Sequence, residues 1–88
     1  MPYAYMVRCA DGSYYSGSAV NLKKRIDAHN AGTGAKYTRV RLPVKLVYYE
    51  AFETRSEALK REAALKKLSH TKKQELAETF SQAGLEVF

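Results

Sequence analysis

The sequence predicts a small α+β domain: a three-stranded sheet with a β-hairpin, packed with about three helices. Three observations predict it. Two β-prone stretches, residues 3–9 and 13–18, flank an Asp11-Gly12 pair, which is a strong hairpin signal. A third β-prone run, residues 44–51, follows a long polar connection. Apolar residues at helical spacing mark residues 21–30, 54–68 and 71–81. Eighty-eight residues suit one domain, 1–88, with a core over about 2–76 and a C-terminal helix and tail over 71–88.

The first strand reads Tyr-Ala-Tyr-Met-Val-Arg-Cys and the return strand Ser-Tyr-Tyr-Ser-Gly-Ser. A type I′ turn at Asp11-Gly12 needs positive φ at both central positions. Side chains alternate along a strand, so Tyr3 and Tyr5 share a face and Tyr14 and Tyr15 do not. One of the latter pair belongs to the core and the other to a site. Gly17 weakens a strand interior, and close approach of another group is a common reason for it.

Asn21 is a good N-cap, Leu22 and Ile26 face the core, and Gly32 stops the helix. Arg25 and His29 are four apart on an adjoining face, so both can act on one bound group. Residues 31–43 form a long connection rich in glycine, cations and hydroxyls, and such connections are often functional. Lys36, Tyr37, Thr38 and Arg39 interleave charge with an aromatic ring, a pattern suited to a nucleic-acid backbone.

Residues 44–51 are the clearest strand and are expected at the centre of the sheet. Thr54 and Glu57 fit a capping box. In the helix they open, Ala58, Leu59 and Leu65 form the apolar stripe, and Glu62 falls inside it. A carboxylate on a buried face is expensive unless paired or bound to a cation. A salt bridge to a nearby Arg or Lys explains Glu62 as well as a metal does. Ser69-His70-Thr71 is read as an interhelix turn. The last helix packs through Leu76, Ala77 and Phe80, and Gly84 ends it.

Fifteen Lys and Arg against nine Asp and Glu give a net charge of +6. The cations are segregated. Residues 23–45 hold Lys23, Lys24, Arg25, Lys36, Arg39, Arg41 and Lys45 against Asp27 alone, and residues 60–73 hold six against Glu62. Such segregation favours a polyanionic partner. No apolar run approaches the roughly 18 residues of a membrane span, and no leader pattern opens the chain. The single Cys9 reads as a small buried residue and fits a reducing cytoplasm. One Cys and two distant His do not make a zinc site. Phosphate-binding and dinucleotide glycine patterns are absent, and nothing local supports a Cys9–His29 nucleophile pair.

What remains is tyrosine, arginine, histidine and one inward glutamate, a set suited to phosphodiester hydrolysis. That reaction needs an activated water and neutralisation of the developing charge. Arg25 can hold a phosphate bidentately. Glu62 can bind one divalent cation, Mg²⁺ or Mn²⁺, with water and phosphate oxygens completing its shell. A Tyr or His beside them can orient or deprotonate the water.

The residues in order resemble a GIY-YIG nuclease domain, in particular the small stand-alone bacterial members of that superfamily. Tyr3-Ala4-Tyr5 stands for the first motif and Tyr15-Ser16-Gly17 for the second. Asn21-Leu22-Lys23-Lys24-Arg25 resembles the start of the family's first helix, with Arg25-x-x-x-His29 as a known variant. Gly34-Ala35-Lys36-Tyr37-Thr38-Arg39, Pro43 to Tyr48, and Ala58 to Glu62 resemble the following loop, strand and glutamate-bearing helix. Tyr3 replaces the usual glycine and Ser16 the usual isoleucine.

The resemblance implies a three-stranded sheet packed with helices and single-metal hydrolysis of DNA. Tyr5 or Tyr15, with Tyr5 preferred, activates the water. Arg25 stabilises the transition state, His29 assists or binds phosphate, and Glu62 holds the metal. Lys24, Lys36, Tyr37, Thr38 and Arg39 are the expected DNA contacts. DNA repair or recombination is the expected setting, with specificity for DNA shape or ends, or borrowed from a protein partner. Two rivals stand beside this reading: a non-catalytic nucleic-acid-binding module of the same fold, and a protein adaptor docking through residues 77–88.

Overall fold

The computed structural model describes residues 1–82. The elements run β1 (Tyr3–Arg8), β2 (Tyr14–Ala19), α1 (Leu22–Asn30), α2 (Lys36–Arg39), β3 (Lys45–Ala51), α3 (Arg55–Lys66) and α4 (His70–Gln82). The sheet is antiparallel throughout, in the order β2-β1-β3. The central strand is therefore β1, not the run at 44–51. Ala4, Tyr5, Met6 and Val7 are all buried, which is the continuous burial a central strand needs, whereas β3 alternates and carries exposed Lys45 and Glu50. The β1–β3 register slips between Met6 and Val7, so that Tyr48 faces Met6 and Leu46 faces Val7.

The hairpin turn also differs from expectation. Cys9 accepts from the Gly12 N–H at 3.0 Å and donates its own N–H to the Ser13 carbonyl at 2.8 Å. Within the turn only Gly12 has positive φ (85°), so Asp11 does not adopt the type I′ conformation. Asp11 instead accepts the Ser13 N–H at 3.0 Å and the Arg41 Nε–H at 3.1 Å. The turn is thus fixed by its side chain as well as its backbone.

The sheet separates two cores. On one face Tyr5, Val7 and Leu46 pack with Leu22 and Ile26 of α1. On the other, Ala4, Met6, Tyr14 and Tyr48 pack with Leu65 of α3 and Phe80 of α4. Alternation along β2 thus sends Tyr14 to the second core and leaves Tyr15 half-buried on the first face. Ser16, buried on the α3 side, and Tyr3, edge-on to Tyr49 at 6.0 Å, show that both motif departures pack into the fold.

Asn21 caps α1 by accepting the Lys24 N–H at 3.0 Å. At its other end, Asn30 donates to the Val44 carbonyl at 3.0 Å and accepts the Val44 N–H at 2.7 Å. This side chain mimics a strand partner and ties the helix to the start of β3. The connection between them contains the short helix α2, a fourth helix where a loop is expected. The Thr54–Glu57 capping box is present at α3. Leu59, expected in the stripe of α3, is 45% exposed; only Ala58 and Leu65, one heptad apart, are buried on that helix. His70 opens α4 rather than lying in a turn, and its Nε2 is 3.1 Å from the Gly12 carbonyl. Gly84 and residues 83–88 of the proposed docking tail lie outside the described residues.

Candidate active site

Tyr5 stands on the central strand opposite Gly17 of β2. A Cβ at Gly17 would lie 2.6 Å from the Tyr5 hydroxyl, so the bare glycine lets the phenol lie across its neighbour strand. The hydroxyl then reaches α1. It lies 2.7 Å from His29 Nε2 and 3.4 Å from Arg25 Nε. Both Tyr5 and His29 are fully buried. His29 sits on the same stripe as Leu22 and Ile26, at spacings of seven and three, rather than on an adjoining face; Arg25 lies at the stripe's rim, half-buried.

Burial, with the positive charge of Arg25 adding to it, pushes His29 down to about 4. The imidazole is neutral at pH 7. Burial also pushes the Tyr5 phenol up to about 12, against the lowering influence of its Arg25 hydrogen bond. Arginine only donates, so the Tyr5 oxygen accepts from Arg25 and its proton is free to point at His29 Nε2. A phenol near 12 beside an imidazole near 4 keeps that proton on Tyr5 at rest. The pair is a poised donor and acceptor, not a resting phenolate.

Tyr15 flanks the same group. Its ring meets His29 edge-on at 5.3 Å and stacks on Tyr37 at 6.0 Å. Tyr37 is 38% exposed and lies under the Arg41 guanidinium, 3.9 Å from its centre. Arg41 also donates to the Tyr37 carbonyl at 2.7 Å, so this cation clamps α2 to the hairpin. Lys24 on α1 and Lys36 and Arg39 on α2 are exposed. Thr38 is not available to DNA as expected. It is fully buried, 2.9 Å from His29 Nδ1.

Glu62 lies on α3, across the sheet from α1, at the rim of the buried stripe with 18% of its side chain exposed. Its negative charge still bears on Tyr5 and helps raise the phenol. Beside it, Arg61 donates to the Tyr48 hydroxyl at 3.3 Å and pairs with Glu50 at 3.4 Å, which pins the helix to β3. Lys66 Nζ stands 2.8 Å from Glu62 Oε2, and the carboxylate holds the ammonium in its charged form. The salt bridge that the sequence offered as one explanation of Glu62 is therefore present, and the i,i+4 spacing already pointed to Lys66 as its partner. Sequence reasoning missed Gly34, where a Cβ would collide with the His29 ring; one sequence carries no signal for that.

Among the described residues no group of three or more His, Cys, Asp and Glu converges. The donor set at Glu62 is one carboxylate with a cation already against it. A lone carboxylate serves a hard divalent ion only when water and phosphate oxygens supply the other ligands and Lys66 gives way to the ion; it does not fit zinc.

A family model described as the GIY-YIG catalytic domain matches residues 1–75. The chain belongs to the GIY-YIG family. This is a nuclease family. A UPF0213 protein of Staphylococcus saprophyticus is 57% identical to this GIY-YIG chain over 74 residues, covering 84% of this chain and 90% of that one. A UPF0213 protein of Haloquadratum walsbyi is 53% identical over 76 residues, covering 86% and 85%. Two solution NMR structures share the fold. The UPF0213 protein of Bacillus halodurans has a TM-score of 0.56 and 42% identity over 90% of this chain and 85% of its own. A protein of E. faecalis has a TM-score of 0.57 and 48% identity over 91% and 85%. In this GIY-YIG domain the first motif lies on the central strand and the second on an edge strand, and Tyr5 and Tyr15 meet at His29. No described helix is long and apolar enough to cross a membrane.

Proposed function

We propose that this chain is a divalent-metal-dependent DNA endonuclease, directed by DNA structure or only weakly specific for sequence. The observation that carries the reading is the run from half-buried Arg25 to fully buried Tyr5 and His29. It links a permanent cation, a phenol and a neutral imidazole within 3.4 Å at each step. Burying the two polar side chains Tyr5 and His29 is costly unless each is satisfied, and here Arg25 satisfies Tyr5 and Tyr5 meets His29.

In this reading phosphate binding at Arg25 first opens the Tyr5 hydroxyl, which is 0% exposed in the free chain, and Tyr5 then takes a proton from the attacking water as its own proton passes to His29 Nε2. The relay needs no free phenolate, which a phenol near 12 does not provide at pH 7. Arg25 neutralises the phosphate oxygens and holds the Tyr5 oxygen in place. Tyr15 walls the imidazole. Lys24, Lys36, Arg39 and the exposed edge of Tyr37 contact the DNA strand. Glu62 would hold Mg²⁺ or Mn²⁺, exchanging its Lys66 partner for the ion. When bound, that ion supplies charge neutralisation at phosphate and a more acidic water. Repair or recombination DNA is the setting that fits a structure-directed cut, and a protein partner is one source of further specificity.

A non-catalytic nucleic-acid-binding module is the second reading. It is favoured by one observation: Glu62 is already neutralised by Lys66. One experiment separates the two. Labelled single strand, duplex, flap and branched junction are incubated with Mg²⁺ or Mn²⁺, wild type beside Glu62→Ala. The nuclease reading expects metal-dependent cutting that the variant loses. Equal DNA retention by both proteins, with no cutting by either, gives the binding module.

A further inference from the structure

We propose that Thr38 is a positioning residue that locks the tautomer of His29, so that the Nε2 lone pair faces Tyr5. The inference rests on the relay just described and adds to it the group that sets its direction. The Thr38 hydroxyl lies 2.9 Å from His29 Nδ1 and 3.1 Å from the Ala35 carbonyl oxygen. A carbonyl only accepts, so the single hydroxyl proton goes to Ala35. The Thr38 oxygen then accepts, and Nδ1 must carry the imidazole proton. The opposite end of the chain uses the same tautomer without imposing it, since the Tyr5 oxygen can accept from Nε2–H as well as from Arg25. Arg25 donates to the Tyr5 oxygen, and the phenol proton seeks an acceptor at Nε2.

Burial makes this choice matter. Thr38, His29 and Tyr5 are all 0% exposed, so bulk water does not compensate a wrong tautomer. With the proton on Nε2 instead, the imidazole has no acceptor to offer Tyr5, and the relay has nowhere to send its proton. The surrounding segment is shaped for the contact. A Cβ at Gly34 would strike the His29 ring, so only glycine lets the chain wrap that closely. Within α2 the neighbours Tyr37 and Arg39 are exposed, and Thr38 alone turns inward.

The test reads the tautomer directly and needs no activity. Ring ¹⁵N–¹H correlation spectra at pH 7 distinguish a protonated from an unprotonated ring nitrogen, and a His70→Gln variant assigns the two histidines. Wild type should show His29 protonated on Nδ1 and bare on Nε2. Thr38→Val, which keeps the shape and removes the hydroxyl, should move the proton wholly or partly to Nε2. Thr38→Ser should restore the wild-type spectrum. Wild-type His29 protonated on Nε2 would overturn the proposal, even if Thr38→Val failed to fold. So would an unchanged tautomer in Thr38→Val. If the chain also cuts DNA, Thr38→Val should lower kcat about tenfold with KM little changed, the effect of one lost hydrogen bond of about 1.4 kcal/mol, and Thr38→Ser should recover it. A chain that cuts nothing yet shows the predicted tautomers would sink the nuclease reading alone.

Discussion

The Tyr5 hydroxyl lies 2.7 Å from His29 Nε2, with both side chains closed to solvent. Removing the hydroxyl alone leaves a buried acceptor with no partner, which costs about 1–3 kcal/mol. Tyr5→Phe should therefore unfold at lower urea with an unchanged denaturant slope, and should abolish cutting. Tyr15→Phe should lose far less stability, because Tyr15 meets His29 through its ring. A stability loss of equal size in both variants would contradict the geometry.

The same burial makes stability depend on pH. His29 titrates at about 4 in the folded chain against 6.5 for an ordinary imidazole, because burial and then the Arg25 charge oppose protonation. Between those values the unfolded chain binds more protons than the folded one, so stability falls as pH drops from about 6.5 towards 4. The ceiling is on the order of 3 kcal/mol for a fully buried group. Urea titrations at pH 7.5 and 4.5 should show a larger loss for wild type than for His29→Gln, which has nothing to protonate there. Parallel losses would mean that carboxylates alone carry the acid sensitivity.

Gly17 is required by Tyr5, not by its own backbone. A methyl group there would stand 2.6 Å from the phenol oxygen, and overpacking of this kind typically costs about 1–3 kcal/mol. Gly17→Ala should lower stability and push Tyr5 away from His29, which the His29 ring nitrogens would report. Gly12 offers the contrast: its φ is +85° with open space around it. Gly12→Ala should cost about 1–2 kcal/mol through left-handed backbone strain and leave the His29 resonances in place.

The strands, the capped helices and the split between Tyr14 and Tyr15 were readable because they are local. Period, caps and turn residues act over a few positions. The central strand was misread because strand order is a long-range property, yet Ala4 to Val7 carried a hint in being apolar without interruption. The site was readable as a set of residue types, and Gly17 as a point of close approach. The burial of His29 was also present in its spacing from Leu22 and Ile26. What one sequence does not reveal is which hydroxyl meets which nitrogen. Thr38 looks like a surface residue among Lys36, Tyr37 and Arg39 until α2 folds back on α1.

Cations that look alike in sequence do different work. Arg41 is held by Asp11 and by the Tyr37 carbonyl and covers the Tyr37 ring. Lys36 and Arg39 are exposed and have no ion-pair partner among the described residues. Each phosphate contact contributes about one unit to the slope of log affinity against log salt. Lys36→Ala and Arg39→Ala should each reduce that slope by about one, measured by anisotropy of a labelled oligonucleotide from ~50 to ~200 mM salt. Arg41→Ala should leave the slope unchanged and lower the unfolding midpoint instead, because it frees α2 from the hairpin. A slope that falls equally for all three would place Arg41 on DNA and remove its role as a clamp.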